Sequence, residues 1–305
     1  MILAGRWTDL FSYVTGAVRY KDLAMLALVS EESRSDNADR TYFLIWDSGE
    51  WEGFDAPKPW GVVSMCVCEH PIEQAIALGS GGQIFCVGSG QLSEEILEPK
   101  GDPPGERPTM RGIRSIGGKA YAVGMNRRVY RRDEIDSWVR IDQGAKPPRE
   151  SKSIVGFESI DGFNESDIYA VGWDGAIWQF DGSIWSELAS PTNLVLSDVC
   201  CGGDGLVYAC ARTGILLRGR DQKWEVVEHE LDIGDIWNLA WFDGQLYLST
   251  MRNVYTLHGD SLRPVDMGDD TPNTCFHLTA RDGVLWSVGA KDVMSFDGRH
   301  WTRID

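Results

Sequence analysis

Two cysteines and a histidine alternate along one segment of the chain, at Cys66, Cys68 and His70. Alternate residues of a β-strand face the same side, so two thiolates and an imidazole at this spacing could converge on a zinc ion. No second Cys/His cluster accompanies them in the sequence. We therefore interpret the two cysteines as small packing residues of a buried strand, and we expect neither a metal nor a cofactor.

Carboxylates cluster in two other segments, which contain Glu228, Glu230 and Asp232, and Asp266, Asp269 and Asp270. A calcium loop needs oxygen ligands at a regular spacing and usually a glycine turn, and neither segment has that pattern. We interpret both as solvated acidic loops.

Catalytic motifs are not evident in the sequence. It has no G-x-S-x-G elbow, no P-loop and no dinucleotide-binding fingerprint, and its five histidines are scattered. No residue is nominated as catalytic, and we expect a protein that is not an enzyme.

Charge restricts the partners. The 305 residues include 46 acidic and 29 basic side chains and carry a net charge of −17. Nucleic acid and anionic membranes repel such a chain, so we expect a neutral or basic protein partner, no nucleic acid and no membrane. Neither an apolar run of about 18 residues nor a basic N-terminal leader is apparent. Most of the seven Cys lie in apolar segments, which favours the cytoplasm.

A repeat must position all of these residues. Its anchors Tyr169, Tyr208, Tyr247 and Trp286 are each 39 residues apart. Three earlier, less regular copies bring the total to seven. Each copy combines apolar segments with Asp-Gly or Gly-Gly turns, such as Gly117-Gly118, Asp161-Gly162 and Asp243-Gly244, which supply the positive φ angles of tight hairpins.

Seven four-stranded antiparallel units of about 40 residues predict an all-β fold, a single seven-bladed β-propeller. One domain should span 1–305, with blades at roughly 11–55, 62–99, 110–144, 153–191, 195–230, 233–267 and 273–305. The segment Gly5-Arg6-Trp7-Thr8 is similar to Gly298–Thr302, so it is expected to add a strand beside the last blade.

The segments Asn164–Gly172 and Phe180–Trp185 resemble a repeat of bacterial β-propeller proteins, DVWAVG-x-x-G-x-I-x-x-x-DG-x-x-W. The resemblance covers about two thirds of the chain and implies a blade rather than a function. WD-repeat, Kelch and Asp-box sialidase patterns fit less well. The WD pattern, for example, needs recurrent Gly-His pairs, and the sequence has none.

In a propeller, the loops that join blades open on the same face as the turns between second and third strands. We call this the upper face. Loops there supply binding residues on a rigid scaffold. It should gather the loops at 102–107 and 143–150, an insertion at 31–40, and ten candidate partner contacts: Trp173, Asp174, Arg127, Arg212, Arg252, Glu228, Glu230, Asp232, Asp269 and Asp270.

Three functions follow from this organisation. The first is a monomeric, non-catalytic protein-binding propeller. A narrower version, by analogy, resembles acidic bacterial immunity proteins that cover the active site of a basic toxin. The second is a lyase or glycoside hydrolase with carboxylates at the channel mouth, where two carboxyl groups about 5 Å apart would mark a retaining glycosidase. The third is an assembly factor or scaffold.

Overall fold

Tight turns divide the chain into short antiparallel strands. The computed structural model describes residues 7–32, 40–54, 56–100, 109–148 and 154–305. Within these ranges, 28 strands form seven four-stranded sheets, each built from consecutive strands of one segment. The seven-bladed propeller predicted from the repeat is confirmed.

The first three blades occupy the N-terminal half. Blade 1 contains β1 (Phe11–Tyr20), β2 (Leu23–Ser30), β3 (Tyr42–Asp47) and β4 (Glu50–Gly53). Blade 2 contains β5 (Val62–Cys68), β6 (Gln74–Gly79), β7 (Gln83–Gly88) and β8 (Gln91–Ile96). Blade 3 contains β9 (Met110–Ile116), β10 (Lys119–Gly124), β11 (Arg128–Glu134) and β12 (Ser137–Arg140).

The remaining four blades contain the most regular repeats. Blade 4 contains β13 (Phe157–Asn164), β14 (Asp167–Gly172), β15 (Ile177–Phe180) and β16 (Trp185–Leu188). Blade 5 contains β17 (Leu196–Cys201), β18 (Val207–Ala211), β19 (Leu216–Arg220) and β20 (Lys223–Val226). Blade 6 contains β21 (Asn238–Phe242), β22 (Gln245–Ser249), β23 (Val254–His258) and β24 (Ser261–Pro264). Blade 7 contains β25 (His277–Arg281), β26 (Val284–Val288), β27 (Val293–Phe296) and β28 (Trp301–Arg303).

The hydrophobic core lies between blades rather than inside them. Buried apolar side chains of the described residues form seven clusters, and each joins two neighbouring blades. Tyr121 of blade 3, for example, packs in one cluster with Phe157 and Trp178 of blade 4. Second strands are buried on both faces because a neighbouring blade covers each side, which explains their continuous apolar sequence.

The ring closes without an exchanged strand. Trp7–Asp9 forms a short 3₁₀ helix, so the expectation that Trp7 and Thr8 add a strand to blade 7 is wrong; Gly5 and Arg6 lie outside the described residues. Blade 7 already has four strands from its own segment. The junction of blades 1 and 7, which we call the seam, is instead held by contacts that include a backbone hydrogen bond and a ring contact. The Tyr13 N–H donates to the Ala290 carbonyl at 2.9 Å, and Trp46 packs edge to face on Trp286 with ring centres 5.2 Å apart.

One predicted hairpin turn is also wrong. Asp161 and Gly162 lie within β13, and the turn comes later, at Glu165 and Ser166. The Asn164 side chain accepts hydrogen bonds from the Ser166 N–H and hydroxyl and so forms this turn. Asp161 instead reaches blade 5, where it accepts a hydrogen bond from the Cys201 N–H at 2.8 Å.

Several predicted loops of the upper face fall partly or wholly outside the residues that the structure describes. The loop at 102–107, most of the insertion at 31–40 and the end of the loop at 143–150 lie outside the described residues. Among the helices that the structure describes, none has the length and apolar character needed to cross a membrane.

Candidate functional site

A channel runs along the ring axis and is lined by the first strand of every blade. Its volume is about 210 Å³, and its lining is largely polar. In its wall the buried carboxylate of Asp198 accepts four hydrogen bonds. The donors are Ser159 Oγ (2.5 Å), Arg114 Nη2 (3.2 Å), Asn238 Nδ2 (2.6 Å) and the Leu239 N–H (2.7 Å). Asp198 thereby joins blades 3, 4, 5 and 6.

Other polar bonds continue this network around the channel. The side-chain oxygen Oδ1 of Asn238 accepts from the Leu278 N–H at 2.8 Å, which links blade 6 to blade 7. His277 Nε2 lies 3.0 Å from the Gly16 carbonyl, which links blade 7 to blade 1. Burial lowers the pKa of His277 to about 4, so the ring is neutral at pH 7 and its N–H donates to this carbonyl.

Carboxylates near the channel are engaged in contacts between neighbouring strands. Asp198 has its four donors, Asp161 accepts from Cys201 in the next blade, and Glu158 accepts from the Trp173 indole at 2.6 Å. Burial raises the pKa of Asp161, against the opposing charge of Arg114. These contacts give the three carboxylates a structural role as links between strands and blades.

The Cys66-x-Cys68-x-His70 segment does not bring its three side chains together. Cys66 and Cys68 lie at the end of β5 and pack in the cluster between blades 2 and 3, whereas His70 lies past the strand and is exposed. Burial raises the pKa of both thiols. Among the described residues, no three His, Cys, Asp or Glu side chains are arranged to hold a metal ion.

Trp173 lies on the upper face, as its position in the repeat predicts. It begins a 3₁₀ turn after β14, and Asp174 follows with a φ of 59° and an exposed side chain. The indole is half-buried and donates from Nε1 to Glu158 Oε1. Trp173 is therefore hydrogen-bonded to a neighbouring strand and still lines a pocket with Leu194, Val195 and Arg212.

The three arginines of the predicted site differ in their surroundings. Arg127 is folded over the ring of Trp178, with its guanidinium carbon 4.7 Å from the ring centre, so it serves the packing between blades. Arg212 is exposed and lines the pocket beside Trp173. Arg252 is exposed and lines a second pocket, beside Trp237 and Met251. Of these three arginines, the structure therefore places Arg212 and Arg252 at pockets of this face, and Arg127 in the packing between blades.

The acidic loops of the predicted site lie on the upper face and are exposed. Glu228, Glu230 and Asp232 have no hydrogen bond or ion pair with another residue in the part of the chain that the structure describes. The loop 227–237 that carries them contains no Lys or Arg. Asp269 is similarly unpaired among the described residues, whereas Asp270 is bound to Arg303 at 2.7 Å.

Exposed apolar side chains on the same face were not predicted. Five of them are in or beside loops of blades 4 to 6: Leu194, Val195, Leu231, Trp237 and Met251. We call these five residues the apolar patch. Trp237 and Met251 are 43% and 51% exposed and line the same pocket, and grouped exposed apolar side chains are typical of interaction sites. The sequence feature that could have indicated this patch is Trp237, a tryptophan at the end of an acidic blade-joining loop.

The pockets beside Trp173 and Met251 flank the channel mouth. Arg111, Glu158 and Ser197 line both the channel and the pocket beside Trp173. Trp237 lines both the channel and the pocket beside Met251. The mouth therefore joins an apolar patch to a flanking loop of uncompensated carboxylates, an arrangement suited to binding a protein with basic residues around an apolar centre.

Comparison with known proteins gives one close relative. The chain is 52% identical over 301 residues to the immune protein Tsi7 of Pseudomonas aeruginosa, and the alignment covers 98% of each protein. No model of a protein family matches the chain.

Solved structures share the fold at low identity. The structure of YCF48 bound to a D1 peptide matches with a TM-score of 0.67 and 13% identity, over 95% of this chain and 93% of that one. The WD40 propeller domain of Doa1 matches with a TM-score of 0.65 and 12% identity, over 96% and 92%. A WD40 propeller thus shares this architecture, and the distinction from WD repeats remains a prediction from sequence motifs.

Proposed function

This chain belongs to the family of the immune protein Tsi7, and from that premise we propose that it neutralises a protein toxin by binding it, without catalysis, through its upper face. The observation that carries the proposal is the full-length relation to an immune protein at 52% identity. The toxin-binding surface would be the channel mouth of blades 4 to 6, where the complex covers the active site of the toxin.

The geometry of this mouth supports the choice of face. Protein interfaces derive most of their affinity from a few large, desolvated side chains surrounded by polar residues. The apolar patch provides such side chains, with Trp237 as the largest. The loop 227–237 carries Leu231 and Trp237 of this patch and also four carboxylates, from Glu228, Glu230, Asp232 and Asp235, and it contains no Lys or Arg.

Charge supports a basic partner. The chain carries a net charge of −17, so it attracts a basic toxin over a distance of about one Debye length, roughly 8–10 Å at physiological salt. Since Glu228, Glu230 and Asp232 have no intramolecular partner among the described residues, they remain available to basic side chains of a toxin. We further propose that the protein acts as a monomer in the cytoplasm, in keeping with its seven unpaired thiols.

The direct test uses the product of the gene adjacent to the gene for this protein. Co-expression should protect cells from that product, and the purified pair should form a complex in titration calorimetry. The triple variant E228Q/E230Q/D232N should lower the association rate constant about tenfold at low salt, and the effect should shrink as salt rises.

A matched control changes the same number of charges on the opposite face. The variant D22N/D136N/D243N neutralises three exposed carboxylates in turns of that face and should leave the association rate within about twofold. Equal effects of the two triple variants would remove the acidic loop from the interface. Absence of both complex and protection would refute the immunity function.

A further inference from the structure

The pocket beside Trp173 is basic although the protein is acidic. It has a volume of about 430 Å³ and lies between blades 3, 4 and 5 at the channel mouth. Its charged lining residues are Arg111, Arg212 and Glu158, which give it a net charge of +1 within a chain of −17. The exposed Leu194 and Val195 and the ring of Trp173 form its apolar walls.

The side chains of Trp173 and Glu158 are held in place by a hydrogen bond to each other in the absence of any partner. The Trp173 indole donates to Glu158 Oε1 at 2.6 Å, which fixes the orientation of the ring. The same carboxylate oxygen lies 3.5 Å from Arg111 Nε, beyond the usual length of a charged hydrogen bond. Arg111 Nε is buried and has no hydrogen-bond acceptor among the described residues, so its charge is only partly compensated.

Arg212 supplies the second cation. It occupies a 3₁₀ turn after β18, is exposed, and forms no ion pair within the part of the chain that the structure describes. Arg111 faces Glu158 only at 3.5 Å and Arg212 has no ion-pair partner among the described residues, so the two guanidinium groups can accept another anion. A guanidinium fork matches a carboxylate well. The apolar walls beside them fit an aliphatic or aromatic group rather than water.

We propose that this pocket receives a single acidic residue of the partner, with its carboxylate between Arg111 and Arg212 and an adjoining apolar group against Trp173, Leu194 and Val195. The inference rests on the proposed function, since the partner is the toxin. A basic toxin is thus attracted by the acidic loop and positioned by one of its own carboxylates. Surrounding acidic loops disfavour a polyanion such as nucleic acid at this site.

Substitution of Arg212 separates this specific contact from overall charge. Removal of a positive charge makes the protein more acidic, which alone would strengthen its attraction to a basic toxin. A direct contact predicts the reverse: R212A should weaken binding about 10- to 100-fold, R212E further, and R212K should retain an intermediate affinity. The control R263A removes an exposed arginine of the outer strand β24 and should not weaken binding.

A small-molecule probe tests the pocket without the toxin. N-acetyl-leucine, which joins a carboxylate to an isobutyl group, should shift the NMR signals of the Trp173 indole N–H and the Leu194 and Val195 methyl groups. N-acetyl-leucine amide, which lacks the charge, should not, and R212A should abolish the shifts.

The outcomes distinguish the two proposals. If the toxin binds the wild-type protein and R212E binds it as well or better, the carboxylate pocket is overturned and the immunity function stands. If the toxin does not bind at all, the immunity function fails, and the acetyl-leucine titration alone decides the pocket: selective shifts support it, and their absence overturns it.

Discussion

Glu95 and Arg132 form an ion pair sealed between blades 2 and 3, with side chains that are 1% and 0% exposed. Arg132 also donates to Gln74 Oε1 at 3.1 Å, and the Trp138 indole donates to Glu95 Oε2 at 2.8 Å. The carboxylate and the guanidinium therefore bind each other and the side chains of Gln74 and Trp138, so this polar network links blades 2 and 3 inside a largely apolar junction.

Loss of one partner of this pair should be costly. R132M leaves the Glu95 carboxylate buried without its counter-charge, and we expect a loss of about 3–5 kcal/mol in the free energy of unfolding, measured with urea. The double variant E95Q/R132M removes both charges and keeps an acceptor for Trp138, so it should be more stable than R132M alone. A double variant no more stable than R132M would contradict this account.

Gly144 is required by a close backbone approach between blades 3 and 4. Its φ is +91°, and a Cβ atom at this position would lie 2.3 Å from the Trp185 carbonyl oxygen. G144A should therefore destabilise the protein by more than about 2 kcal/mol, since strain and collision add. The control G259A has a φ of +62° with open space around it, so it should cost only about 1–2 kcal/mol. Equal losses in thermal unfolding would disprove the collision.

His277 should make stability depend on pH. Burial lowers its pKa to about 4, below the ordinary value of 6.5, with a further contribution from the charge of Arg114. Between these values the unfolded chain binds more protons, so stability rises with pH from about 4 to 6.5 and is lost on acidification, by at most about 3.5 kcal/mol. H277Q should flatten this part of the profile of unfolding free energy against pH. If the profile of H277Q ran parallel to that of the wild-type protein, groups other than His277 would cause the pH dependence.

Trp237 should be an affinity determinant rather than a stability determinant. Its backbone N–H is bonded to the Ser249 carbonyl at 2.9 Å, and its ring packs edge to face on Phe276 with centres 6.0 Å apart. Because the ring is already held, little entropy is lost on binding, and W237A should lower toxin affinity at least about 30-fold. The control variant L92A changes an exposed residue of the outer strand β8 and should leave toxin affinity unchanged. Full affinity of W237A in calorimetry would exclude the apolar patch from the interface.

The ring of seven sheets could be predicted because its signals are local. A repeat every 39 residues and hairpin turns such as Asp243-Gly244 lie within single blades. Asp161-Gly162 misled the prediction because the same dipeptide serves in β13 as a bonding partner for the next blade. The closure of the ring depends on contacts between Tyr13 and Ala290, which no local pattern encodes.

The candidate site was predictable only in part. Trp173 stands out because the repeat aligns it with non-aromatic residues of other blades. Trp237 lies in a blade-joining loop, where the repeat offers no alignment, so its exposure emerged only from packing. Arg127 lies in the same kind of turn as Arg212, yet it is folded over Trp178, because its environment is set by a neighbouring blade rather than by its own turn.

The seam without an exchanged strand has a consequence for folding. All seven sheets form from residues close in sequence, so each blade can fold with low contact order. The bonds between Tyr13 and Ala290 and between His277 and Gly16 instead join residues more than 250 positions apart. Their formation must offset the entropy that is lost when nearly the whole chain is closed into a loop. The junction of blades 1 and 7 is therefore the natural last step of folding and the first site of opening.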